Sequence, residues 1–121
     1  MRKTYLTLLF SILLILAVWF WLAPPQVWLN LVKRVDLSDP VRAGEALAAQ
    51  YNCTSCHVIQ GNGRLFGPSL DGITRRIPAE KLRMWLLTPR KVNPATAMPD
   101  LNLSDQEAEA IIHYLRNLDD A

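Results

Sequence analysis

Hydrophobic positions fall into two regimes along this chain. From Tyr5 to Ala23 they run almost without a break, interrupted only by Thr7 and Ser11. Nineteen helical residues there span roughly 28 Å, close to the hydrocarbon thickness of a bilayer. The apolar core of a secretory signal, about 7–15 residues, is shorter than this. Bulky Trp21 two positions before Ala23, and Pro24 directly after it, also spoil a small-x-small cleavage site. The pattern therefore predicts a retained membrane anchor over residues 1–25, with lipid as its partner. Arg2 and Lys3 favour a cytoplasmic N-terminus, and Trp19, Trp21 and Trp28 gather at the opposite end, where aromatic rings prefer the headgroup region. That arrangement puts the rest of the chain on the outer face of a cell's inner membrane.

After Pro24-Pro25, which stop the first helix, the spacing changes to short helical segments separated by turn residues. Residues 26–40 read as an interfacial linker. Val27, Leu31 and Val35 share a helical face and Lys33-Arg34 are available to headgroups. This suits a short helix lying in the interface or one packed on a partner subunit. Ser38-Asp39-Pro40 is a helix start, a capping side chain followed by proline in the first turn. The helix predicted from Val41 to Tyr51 ends at Asn52, suited to a left-handed terminator. A glycine-rich loop from Gly61 to Pro68 follows. Pro78 opens a second helix with Leu82, Trp85 and Leu86 on one face. Pro89, Pro94 and Pro99 forbid continuous helix over the next stretch. Ser104-Asp105-Gln106-Glu107 is a capping box, leading into a last helix striped by Ala108, Ile111, Ile112 and Leu115. No strand signal or internal repeat is present, so residues 41–121 are expected to be all-α.

The 121 residues carry a net charge of only +2. Basic residues are few and lie outside the cytoplasm on the orientation above, so nucleic acid is not an expected partner. The two cysteines change the picture more. They stand in Cys53-Thr54-Ser55-Cys56-His57, the C-x-x-C-H pattern of covalent haem attachment. Thiols at this spacing can each take one vinyl group of a single porphyrin, and the following imidazole can turn under the ring toward the iron. A structural zinc site wants four ligands, and beyond the motif only His113 remains as an imidazole donor. A thioredoxin-like pair would need a βαβ context. One covalent haem c also supplies the apolar centre that a domain of about 80 residues otherwise lacks.

His57 accounts for one face of the iron. For the other, Met98 lies in Ala97-Met98-Pro99, inside the proline-broken stretch, where core packing explains a methionine poorly. A neutral thioether favours reduced iron and raises the potential. The rivals are Met84, within a predicted helix, and His113, on the polar side of the last one. With His57 and Met98 both on the metal, no open position remains for oxygen or substrate. The expectation is then electron transfer rather than catalysis.

Gly44-Glu45-Ala46-Leu47, the Cys53–His57 motif, Gly67-Pro68-Ser69-Leu70, Ala97-Met98-Pro99, and Leu103-Ser104-Asp105 leading to Tyr114-Leu115 occur in the order and at the spacing of a known family. The chain resembles a membrane-anchored class I monohaem cytochrome c over residues 41–119. The resemblance implies a small class I cytochrome c fold around one covalent haem, preceded by one transmembrane helix. It implies that the Pro68 carbonyl accepts a hydrogen bond from His57, that Gly44 and Tyr114 meet where the first and last helices cross, and that Trp85 and Arg76 approach the haem propionates. Ala48 departs from the family, many of whose members carry an aromatic there, and Tyr51 is the candidate to fill that space. Implied partners are respiratory or photosynthetic redox proteins, a quinol-oxidising complex as donor and a terminal oxidase or reductase as acceptor. The resemblance extends to haem c domains of haem-copper oxidases and to the anchored haem c subunit of nitric oxide reductases. An enzyme with an open iron site and a purely structural subunit are the other classes.

Charge is unevenly placed. Residues 64–91 hold seven basic residues, Arg64, Arg75, Arg76, Lys81, Arg83, Arg90 and Lys91, against Asp71 and Glu80. Residues 100–120 hold six acids against Arg116. The expectation is a dipolar domain whose basic side is steered toward an acidic partner.

Overall fold

The computed structural model describes all 121 residues. Helix α1, Arg2–Leu22, contains no buried residue, and by length and composition it could cross a membrane. Two hydroxyls within its apolar run back-bond to the helix: Thr7 Oγ1 donates to the Thr4 carbonyl at 2.8 Å and Ser11 Oγ to the Thr7 carbonyl at 2.9 Å. Such back-bonding lets a polar side chain sit in an otherwise apolar helix without an orphaned group.

A short helix α2, Gln26–Val32, follows the Pro24-Pro25 break. It packs on the protein's own domain, an arrangement the sequence did not suggest. Asn30 Nδ2 donates to Asp105 Oδ2 at 2.6 Å while the Asp105 backbone N–H donates to Asn30 Oδ1 at 2.8 Å. Gln26 Nε2 donates to the Leu103 carbonyl and Lys33 Nζ to the Asn102 carbonyl. Just beyond, the Val35 N–H donates to Gln106 Oε1.

Helix α3, Pro40–Gln50, starts with Asp39 accepting from the Arg42 N–H and with Pro40 in its first turn. A single 3₁₀ turn, Cys53–Ser55, is entered through Asn52 at φ 55°, the left-handed conformation that asparagine tolerates. The absence of strands is not borne out: β1, Val58–Ile59, pairs antiparallel with β2, Asn62–Gly63. Four residues are too few to carry an alternating pattern. What makes the hairpin is the turn, with Gln60 and Gly61 both at positive φ.

Helices α4, Ile73–Arg76, α5, Ala79–Leu87, and α6, Pro89–Val92, come next, α6 with its proline in the first turn. Proline lacks only an N–H that would be unpaired there anyway. Helix α7, Asp105–Asp120, opens on the expected capping box: Ser104 Oγ accepts from the Glu107 N–H and Glu107 Oε2 accepts from the Ser104 N–H.

Helix α7 is the spine of the core, contributing Ala108, Ala110, Ile111, Ile112, Tyr114 and Leu115 to the buried set. It crosses α3 at Gly44, where a Cβ would run into the Ala110 carbonyl and lie 2.7 Å from Tyr114 Cβ. Only glycine permits that approach. On the far side of α7, Asp119 ties down α4, accepting from the Gly72 and Thr74 N–H groups and from Thr74 Oγ1 at 2.6–2.8 Å.

Candidate cofactor cavity

The 3₁₀ turn displays the cysteine pair and places His57 at the start of the hairpin. The loop beyond then folds back over the motif through three backbone hydrogen bonds. Arg64 N–H donates to the Thr54 carbonyl at 3.1 Å, Gly67 N–H to the Cys56 carbonyl at 2.7 Å and Leu70 N–H to the Val58 carbonyl at 2.9 Å. The result brings Pro68 under the imidazole: His57 Nδ1 lies 2.7 Å from the Pro68 carbonyl oxygen. A carbonyl only accepts, so the proton belongs on Nδ1 and Nε2 carries the lone pair. Gly67 lies flat against the ring, its missing Cβ only 2.5 Å from His57 Cε1.

A cavity of about 520 Å³ opens beside the motif, within the range of cofactor sites. Cys53, Cys56 and His57 line it, as do Met98 and Pro99 from the proline-broken segment. Leu82 and Trp85 of α5 and Ile111 and Leu115 of α7 complete the wall. The donor set of two thiols, one imidazole and one thioether, in an otherwise mostly apolar cavity, fits a covalently held haem. A buried divalent-cation cluster is not an alternative, since no group of three or more His, Cys, Asp or Glu side chains converges.

Of the residues singled out from sequence, Cys53, Cys56, His57, Pro68, Trp85 and Met98 are brought to this cavity. Arg76 is not. Its guanidinium caps the loop instead, donating to the carbonyls of Ser69, Asp71 and Gly72. A single arginine position carries no local signal that separates propionate binding from carbonyl capping. The rivals to Met98 lie elsewhere: Met84 is exposed on α5, and His113 faces Glu109 at 3.4 Å on α7.

Two features were not found from sequence. Phe66 lines the cavity and stands 77% exposed beside exposed Leu65, a pair visible only as two large apolar residues in a turn-rich loop. Glu107, read as a capping residue, is also the buried acceptor for Tyr51, whose hydroxyl donates to Glu107 Oε1 at 2.8 Å. Lys33 completes the group, donating to the Tyr51 hydroxyl at 3.1 Å with Glu107 Oε2 3.9 Å away. Tyr51 lines the cavity. Burial and the Glu107 carboxylate push its ionisation well above the ordinary phenol range, so it stays a neutral donor. Burial likewise pushes the Cys53 thiol up.

The charge asymmetry is smaller in three dimensions than along the chain. Arg83 pairs with Asp105 at 3.0 Å and Glu109 at 3.4 Å, and Arg75 donates to the Asp119 carbonyl. Arg64, Lys81, Arg90 and Lys91 remain exposed.

A small helical domain wrapped round an apolar cavity, with paired thiols and an oriented imidazole on its wall, defines a covalent haem protein. Residues 41–119 match the cytochrome c family, and the chain belongs to it. It accordingly binds haem c and is built as an electron-transfer domain. Similar proteins include the C subunit of nitric oxide reductase from Stutzerimonas stutzeri, 29% identical over 67% of this chain and 60% of that protein. Its counterpart from Cereibacter sphaeroides is 28% identical over 66% and 60%. Cytochrome c oxidase subunit 2 of Bacillus subtilis is 29% identical over 67% of this chain and 27% of that one. The chain thus matches about 60% of the length of the two nitric oxide reductase relatives. Among solved structures, cytochrome c from Rhodothermus marinus superposes with a TM-score of 0.60 at 29% identity, covering 74% of this chain and 89% of that one.

Proposed function

We propose that this chain is a membrane-anchored haem c subunit that relays single electrons on the outer face of the membrane to an oxidoreductase complex. The observation that carries the reading is the single cavity lined by His57 together with Met98. In this reading Cys53 and Cys56 hold the cofactor, and His57 Nε2 and the Met98 thioether are the two protein ligands to the metal. When bound, the group supplies an iron that changes valence by one electron.

The chain's own residues do the rest. The Pro68 carbonyl holds the His57 proton on Nδ1, fixing the tautomer and the ring plane and raising the imidazole's basicity. Gly67 bars rotation of the ring in one direction. Apolar side chains of α5 and α7 keep water from the cavity wall, and Trp85 is the candidate on that wall to meet a propionate. The exposed edge formed by Cys56, Leu65 and Phe66 is where an electron would enter or leave. The named subunits of nitric oxide reductase and cytochrome c oxidase among the similar proteins favour a place in such a complex. Exposed Arg64, Lys81, Arg90 and Lys91 suit an acidic partner surface.

The test is an optical redox titration of detergent-extracted membranes from cells making the full chain, beside the soluble fraction. A positive potential, a far-red band of the oxidised protein, and colour in the detergent fraction alone are expected. Carbon monoxide binding to the reduced protein would refute Met98 as ligand and with it the relay. Colour in the soluble fraction would refute the anchor.

A further inference from the structure

Helix α2 is amphipathic in the reverse sense to a helix on a soluble protein. Its polar residues Gln26 and Asn30, with Lys33 just past its last turn, recur at helical spacing on one side, and this is the side that meets the domain, together with buried Leu29. The opposite face is apolar and uncovered: Val27 is 81% exposed, Leu31 56%, Val32 52% and Trp28 44%. In water this arrangement is unfavourable on one side: the polar groups are compensated by their hydrogen bonds to the domain, but the apolar ones are left in solvent.

The apolar face also continues an apolar surface. Helix α1 ends only a few residues earlier with exposed Trp21 and Leu22, and the Phe20 ring meets the Trp28 ring edge-on at 5.4 Å. Exposed Arg34 follows two positions after the helix, where a cation can meet lipid headgroups.

We propose that α2 is a membrane seat. Its apolar face of Val27, Trp28, Leu31 and Val32 lies in the lipid interface, while its polar face clamps the haem domain, holding that domain in one orientation on the bilayer. The domain does not swing on a tether. The clamp reaches the cavity wall through the Lys33–Tyr51–Glu107 group, so the seat and the cofactor cavity move as one body. An electron-transfer edge held this way serves a partner fixed in the same membrane. The inference rests on α1 as a membrane-spanning helix and is independent of which residues bind the iron.

The experiment places the photo-crosslinker p-benzoylphenylalanine at Leu31, and at Arg116 as an exposed control, in the full holoprotein in native membranes. Illumination is followed by intact-mass analysis. A phospholipid adduct at Leu31 and none at Arg116 is expected. A protein adduct at Leu31 would mean that another protein covers this face, and no adduct would mean water; either overturns the seat. Pulsed dipolar spectroscopy between spin labels on Val18→Cys and Arg116→Cys then tests the fixed orientation. A narrow distance distribution that broadens on adding Asn30→Ala and Lys33→Met is expected, and a broad distribution in the parent overturns the proposal. Failure in these measurements leaves the redox titration unaffected, so the two readings fail separately.

Discussion

Replacing Gly67 by alanine adds a methyl group that meets the His57 ring 2.5 Å from Cε1 and 2.8 Å from Nδ1. Ordinary contact begins near 3.4 Å, so one side must retreat by about 1 Å, a demand of the kind that overpacking places on a core. Neither side is free to do so. The ring is held by its hydrogen bond to the Pro68 carbonyl, and the glycine by its N–H to the Cys56 carbonyl at 2.7 Å. Overpacking of this kind costs about 1–3 kcal/mol, and each kcal/mol lowers the Tm of a domain this size by roughly 4–8 °C. The expected loss is therefore about 4–24 °C, read by circular dichroism of the detergent-solubilised holoprotein. Gly61→Ala supplies the comparison, because Gly61 sits at φ 73° with nothing near its missing Cβ. Its cost is purely conformational, about 1–2 kcal/mol. Both variants should melt early, but only Gly67→Ala should also shift the reduction potential, since only it disturbs the proposed iron ligand. A Gly67→Ala protein that keeps the parent's potential and melts within about 2 °C of it would refute this account of the ligand's support.

Three further outcomes are expected. Tyr51→Phe removes a donor to the buried Glu107 carboxylate and should cost about 1.5–3 kcal/mol, the range for hydrogen bonds to charged groups, measured by denaturant unfolding. Gly44→Val drives a side chain into the Ala110 carbonyl and Tyr114 and should sharply reduce the yield of haem-loaded protein, read from absorbance of washed membranes. Burial acts to raise the Asp119 carboxyl, but the Thr74 hydroxyl, the Thr74 and Gly72 N–H groups and the Arg75 charge outweigh it and hold the carboxyl below its ordinary value. Its contribution is thus complete above about pH 4 and disappears as the pH falls through the lower folded value. Asp119→Asn should lower the Tm at pH 7 and narrow its gap to the parent as acid is added, and a gap independent of pH would count against the carboxylate's role.

Much of this protein is legible in its amino-acid order. The nearly continuous apolar run specified α1, because a helix needs no partner to satisfy its backbone. Cys53 to His57 specified the cofactor, because the chemistry of attachment lies within five consecutive residues. The caps at Asp39 and Ser104 and the stop at Asn52 were legible for the same reason, each being a local hydrogen bond or dihedral preference. Contacts between distant segments were not legible from periodicity alone. That Glu107 holds Tyr51 follows from how segments far apart in the chain come together, and that Arg76 serves the loop carbonyls and Gly67 braces the His57 ring follows from how an irregular loop folds back on itself. The docking of α2 is the clearest case. Val27, Leu31 and Val35 read as one apolar face on a linker, yet Gln26, Asn30 and Lys33 make the protein contact, because the fold presents them with Asp105, the Leu103 carbonyl and Glu107. A helix's pattern states that it has two faces; only the partners that the folded chain supplies decide which face turns inward.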